Sequence, residues 1–193
     1  MDSSRILKSI SRHITLDEQE ASYLQSIILS MKVKQSDFIE RMGEVTRYFM
    51  YVDEGCLMTY FTDDKATDHV LQFATAGWWT GDLESFTHES PSMYSTRALA
   101  DSAVLLIPKN QMDIMLERYP KFEKYFRIIF QNSLITHQRR IIRNLHLPAE
   151  SRYQHFIEKY PTLEQFVPQK YIASYLGITP EFLSKIRRKM MEK

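Results

Sequence analysis

The tightest constraint in this sequence lies in residues 168–189, which read PQKYIASYLGITPEFLSKIRRK. Ile172, Ala173 and Leu176 recur at helical spacing and make one apolar face. Gly177 follows at once, where a helix end takes a left-handed residue. Thr179 is placed to cap a second helix, and Pro180 falls at its first position, where the missing amide proton costs nothing. That helix is expected to bury Phe182, Leu183 and Ile186 and to show Glu181, Ser184, Lys185, Arg187, Arg188 and Lys189 to solvent. Small Ala173 stands where the two helices would cross. The spacing predicts a helix-turn-helix, whose second helix enters a DNA major groove. A plain helical hairpin with a basic solvated face is the competing reading.

The distribution of charge favours the first. The net charge of +1 says nothing about nucleic acid. Residues 1–109, however, carry 10 Lys+Arg against 16 Asp+Glu, while residues 110–193 carry 15 against 8. An acidic N-terminal half ahead of a basic C-terminal half is what a sensor joined to a DNA-binding module predicts. The single cysteine, Cys56, excludes an intrachain disulfide framework and a four-cysteine metal site from one chain, and its apolar run CLMTYF predicts a buried thiol. No apolar segment reaches the length of a membrane span and no signal-peptide pattern opens the chain, so a cytoplasmic protein is expected.

Along the chain, Thr15 and Glu18 suggest a capping box ahead of the amphipathic LDEQEASYLQSI. Between residues 27 and 107 the character changes to short β runs: IILSMKV, DFIER, RYFMYV, CLMTYF, HVLQF, STRALA and AVLLI. The breaks carry turn chemistry, and four of the five glycines (Gly43, Gly55, Gly77 and Gly81) fall here. Many short strands at even spacing predict a double-sheet β-roll. Of the adjacent Trp78 and Trp79, one ring is expected in the core and the other outside.

After a short helix, NQMDIMLERY, ended or bent near Pro120, residues 121–145 run without glycine or proline. At about 1.5 Å per residue they make a helix roughly 37 Å long. Its apolar residues repeat every seven, which predicts pairing with a second copy through Phe126, Ile128, Phe130, Leu134, Ile135, Ile141 and Ile142. Beyond the hinge at Pro148, Tyr153, Phe156, Ile157 and Tyr160 share a helical face, and Leu163 and Phe166 are expected to plug the base of the helix-turn-helix. The fold class is thus α+β: a β-roll effector-binding-like domain over residues 1–118, a long dimerisation helix over 119–146 and an all-α DNA-binding domain over 147–193. The six histidines show no metal-ligand spacing. No nucleophile triad, paired carboxylates or phosphate loop supports catalysis, so no enzyme and no cofactor is expected.

This order of parts resembles the transcription regulators of the cyclic-AMP receptor and FNR family. RYFMYV, AGWWTGDLESF, ESRYQHFIEKYP and IASYLGITPEFLSKIRRK carry the resemblance, the last most specifically and in the manner of a Bacteroidetes-type subgroup. The family's cyclic-nucleotide binders hold the ribose with a glutamate after a cassette glycine, and the cyclic phosphate with an arginine about ten residues on. Here the cassette reads Gly81-Asp82-Leu83-Glu84 and the arginine position falls at Ser92, which cannot neutralise a phosphate. Cyclic AMP is therefore not the expected effector. Gly81, Asp82, Arg97, Thr136 and His137 are the candidate contacts for an unidentified small molecule. The FNR branch's iron–sulfur cluster is excluded by the cysteine count. Family members continue past the recognition helix into a β wing, and with the sequence ending at Lys193 the backbone contacts are expected from basic residues and helix ends.

The resemblance implies a homodimer on an inverted repeat of double-stranded DNA, with RNA polymerase as a further partner and no membrane. The candidate DNA contacts are Lys170, Thr179, Pro180, Glu181, Ser184, Lys185, Arg188 and Lys189. Glu181 is suited to a cytosine amine and Lys185 to guanine, with Arg188 and Lys170 on phosphates. The alternative is a small-molecule sensor whose helical tail contacts a protein.

Overall fold

The computed structural model describes residues 3–191. Two helices open the chain, α1 (Ser4–Ser11) and α2 (Glu18–Ile27). Asp17, rather than Thr15, caps α2: its carboxylate accepts from the Glu20 amide while Glu20 returns a bond to the Asp17 amide. Both Thr15 and Asp17 have a glutamate three residues on, so the pattern alone does not choose between them. In α1, Ile6 and Ile10 stand one turn apart and both are buried.

The roll follows: β1 (Leu29–Val33), β2 (Phe38–Glu40), β3 (Tyr48–Glu54), β4 (Cys56–Thr62), β5 (Asp68–Thr75), β6 (Trp79–Thr80), β7 (Ser95–Ala98) and β8 (Ser102–Pro108). They form two four-stranded sheets, in the orders β1-β8-β3-β6 and β2-β7-β4-β5. The expected double-sheet roll is what the chain forms. β6 is followed by α3 (Leu83–His88), a six-residue helix too short for its periodicity to be read.

Helical structure resumes with α4 (Lys109–Arg118), α5 (Pro120–His146) and α6 (Ala149–Lys159). α4 ends at Arg118, near Pro120 as expected, and Pro120 itself opens α5, where its lack of an amide proton is harmless. After a single 3-10 turn, α7 (Gln169–Leu176) and α8 (Pro180–Met191) complete the chain. Leu163 is buried beneath them, but Phe166 is 37% exposed and Val167 takes the inner position.

By internal contacts the chain divides into two compact units, residues 1–59 with 73–132, and residues 60–72 with 133–193. In the first, the main core joins α1, α2, α4 and the start of α5 to the face of β3 and β8 that carries Phe49, Tyr51, Leu105 and Ile107. Trp79 anchors it, stacked on Phe49 at 5.0 Å and donating its indole N–H to the Tyr125 hydroxyl at 2.9 Å. Trp78, partly buried, packs on a smaller cluster around Val52 and Val104. Cys56 is fully buried, and burial pushes its thiol up to about 12. No described helix is long and apolar enough to cross a membrane.

Candidate functional site

The second unit carries the helix pair. α7 ends at Gly177, whose φ of +66° is the left-handed conformation that glycine adopts without strain. The Ile178 amide returns to the Ala173 carbonyl at 3.0 Å, closing the cap. Ala173 is fully buried, with Leu176, Leu183 and Ile186 around the crossing. The Thr179 hydroxyl accepts from the Phe182 amide at 3.2 Å and so caps α8. All of this follows the sequence.

Phe182 does not. It is 44% exposed, because the buried stripe of α8 runs through Leu183 and Ile186, and a residue one position before Leu183 is turned by about 100° out of it. The exposed face of α8 therefore presents Thr179, Pro180, Glu181, Ser184, Lys185, Arg188 and Lys189 as expected, with Phe182 added. Backbone and side-chain bonds at the start of α8 hold Glu181 below the usual carboxylate range, so it is ionised at neutral pH. Lys189 lies 3.5 Å from Glu150, and the Lys170 ammonium sits 4.8 Å above the Tyr171 ring. Arg187 is not on this face: half-buried, it lies 3.8 Å from Glu164, which also accepts from the Tyr153 hydroxyl. Burial, and then the Glu164 carboxylate, push the Tyr153 phenol well above its usual range.

On α5 the seven expected interface residues separate. Phe126 is 3% exposed and faces the first unit's core, within 5.2 Å of Trp79, so it is not available to another chain. Phe130 leans on the same core, 5.7 Å from Phe49. The first turns of α5 are spent on packing within the chain. Farther along, Leu134, Ile135, Ile141 and Ile142 are between 43% and 59% exposed, and Leu145 is 82% exposed. Ile128 is half-buried.

The five candidate effector contacts are divided between the two units. Gly81, Asp82 and Arg97 belong to the first unit, Thr136 and His137 to the second. His137 bonds back to the Ser133 carbonyl of its own helix at 2.8 Å. Arg97 lies on β7 opposite Phe38. Asp82 is 4% exposed and caps α3. One of its oxygens accepts from the Glu84 and Ser85 amides at 3.0 and 3.1 Å. The other accepts from the Ser92 hydroxyl at 2.8 Å and the Met93 amide at 3.3 Å. The carboxylate of Asp82 thus occupies donors that an anion would otherwise use. Near it, burial lifts the Glu40 carboxyl to about 7, with the charges of Asp82 and Glu44 adding to the rise.

Comparison with known proteins places this geometry. Residues 30–119 match the cyclic nucleotide-binding domain. The roll belongs to that domain family. Over 89% of its length the chain is 24% identical to the anaerobic regulatory protein of Pasteurella multocida, covering 67% of that protein. It is 23% identical to the electron transport regulator A of Shewanella oneidensis, with 89% and 73% covered. Among solved structures, the c-di-GMP responsive global regulator CLP of Xanthomonas campestris superposes with a TM-score of 0.74 at 13% identity, over 91% of this chain and 92% of that one. FixK2 of Bradyrhizobium japonicum also gives 0.74, at 14% identity over 86% and 85%. The cyclic nucleotide-binding roll followed by the helical part is therefore the cyclic-AMP receptor/FNR fold, and the chain is a relative of regulators built on it.

Proposed function

We propose that this protein is a homodimeric, sequence-specific DNA-binding transcription regulator that is not controlled by cyclic AMP. The exposed face of α8 carries the reading, since it sets Glu181, Ser184, Lys185 and Arg188 in the open on a helix whose inner side is fixed through Ala173. Lys185 donates to guanine O6 and N7, and Glu181 accepts from a cytosine amine. Phe182 is suited to the methyl group of a thymine. Lys170, Arg188 and Lys189 take phosphates, while Thr179 and Pro180 set how closely the start of α8 approaches the bases. Residues 1–118 form the roll, 119–146 the pairing helix and 147–193 the reader. Two readers paired through the exposed part of α5 address half-sites about 34 Å apart. RNA polymerase is the expected protein partner.

The independence from cyclic AMP is supported by Asp82, whose carboxylate already takes the donors at the start of α3 and of Ser92. Selection of genomic fragments with the purified protein tests the whole reading. It should enrich an inverted repeat, bound with an affinity that falls steeply with salt and does not respond to cyclic AMP. In the same assay Lys185→Ala should remove about 1–3 kcal/mol of discrimination at one base pair per half-site. Flat recovery across sequences would instead favour a sensor whose helices bind protein.

A further inference from the structure

One feature of the second unit is not used by DNA reading. The C-terminal half of α5, α6 and the end of α7 enclose a cleft of about 370 Å³. That is the size range of small-molecule sites. Five cations line it, Arg139, Arg140, Arg143, Arg152 and Lys159, against a single carboxylate, Glu158. Glu158 is already engaged, accepting from the Gln154 amide at 3.1 Å and lying 3.4 Å from the His155 ring nitrogen.

Two of the cations are fixed in place. The Arg140 guanidinium donates to the Val70 carbonyl at 3.3 Å and lies 4.9 Å above the Tyr175 ring. One terminal nitrogen of Arg152 is committed to the Leu176 carbonyl at 2.6 Å. Its Nε is shut off from solvent with no acceptor, a buried donor on a charged group that costs stability unless something supplies an oxygen. Lys159 reports the same imbalance: burial, then the charges of Arg140 and Arg143, push its ammonium down to about 8. On the apolar side, Phe156, Tyr160 and Tyr175 form a cluster with ring centroids 5.4 to 6.2 Å apart.

We propose that this cleft binds a small, multiply charged phosphate-bearing anion. Phosphate is the group whose several oxygens answer converging guanidinium forks. A DNA backbone is the less suitable occupant, because α8 contributes no residue to the lining. A second copy of the chain does not neutralise the cleft through α5 either, since residues 124–149 contain no Asp or Glu and a paired α5 brings further arginines. The proposal is independent of whether the protein reads DNA.

The test is calorimetric titration of the full chain, without DNA, using inorganic pyrophosphate and ADP as probes. One site per chain is expected, weakened at least tenfold by Arg143→Gln and by Lys159→Gln. Lys124→Gln, which removes an exposed cation elsewhere on α5, should leave affinity within twofold. Binding near pH 8 should also take up a proton, seen as a heat that depends on the buffer, and Lys159→Gln should abolish that uptake. The charged groups around Lys159 are Arg139, Arg140 and Arg143 on α5 with Arg152, His155 and Glu158 on α6, and among them the uptake is assigned to Lys159. Arg143→Lys, which keeps the charge, should retain part of the affinity and guards against a variant that merely fails to fold. Absence of binding at millimolar probe would overturn the proposal, as would equal weakening by Lys124→Gln. A third contrary result would be cleft variants that lower duplex affinity and its salt slope while pyrophosphate affinity stays unchanged.

Discussion

At the scale of single residues, the informative positions are those where a side chain is charged in a place that does not suit charge. Glu40 is one. Its carboxyl is lifted from 4.5 to about 7 chiefly by burial, and the Thr96 hydroxyl that donates to it at 3.4 Å only partly offsets this. The folded-state value lies above the unfolded one, so the folded state holds the proton more tightly. The stability this provides is fully present below pH 4.5 and is lost as pH rises towards 7. Glu40→Gln, which cannot ionise, should therefore match the wild type near pH 4 and exceed it at pH 8. The gain should be about 1–2 kcal/mol, discounted from the full shift because the side chain keeps some access to solvent. Thermal unfolding across pH 4–8 checks this; parallel curves would mean that Glu40 is not the group responsible. Residue by residue, the sequence was most legible where one position has one job, as with buried Cys56 and left-handed Gly177. It was least legible where neighbours compete, as with Thr15 and Asp17, or where a stripe is one residue out, as at Phe182.

At the scale of elements, length decided what could be read. α7, the turn and α8 announce themselves because a left-handed glycine, a capping threonine and a first-turn proline must stand at fixed offsets. α5 announces itself by its uninterrupted length. α3 has no such signal, since six residues are under two turns and make no period. Its existence depends on Asp82, whose four donors come from both α3 and the segment of Ser92 and Met93. Asp82→Ala should leave the Glu84, Ser85 and Met93 amides without this acceptor, while the Ser92 hydroxyl keeps the Tyr94 carbonyl at 3.1 Å, at a cost of about 2–4 kcal/mol. Denaturant unfolding would show a lower midpoint and an unfolding free energy reduced by that amount. On the proposed reading, in which Ser92 takes the place of a phosphate-holding arginine, cyclic AMP binding should not appear in the variant.

At the scale of the whole molecule, the sequence suggested three consecutive segments, whereas contacts divide the chain differently. The tip of the β4–β5 hairpin, residues 60–72, belongs with the helical unit. There the Ser174 hydroxyl accepts from the Val70 amide at 2.9 Å and donates to the Asp68 carbonyl at 2.8 Å. No local pattern reveals a pairing between residues a hundred positions apart. The same scale decides how α5 is used. Phe122, Tyr125 and Phe126 are buried within the chain. Leu134, Ile135, Ile141 and Ile142 remain exposed at a seven-residue repeat, and an apolar stripe of this kind is stabilised by pairing with another helix. Ile135→Glu combined with Ile142→Glu should therefore separate the chains without unfolding them. Sedimentation equilibrium should report a monomer, with near-native circular dichroism and a roll that melts close to the wild type. DNA affinity should fall by about 10²–10⁴, because the second half-site is then no longer tethered to the first. Binding to an isolated half-site should change little. Were the double variant to stay dimeric, pairing would have to lie elsewhere; were it to unfold, the exposed stripe would be holding each protomer together, against the burial pattern of α5.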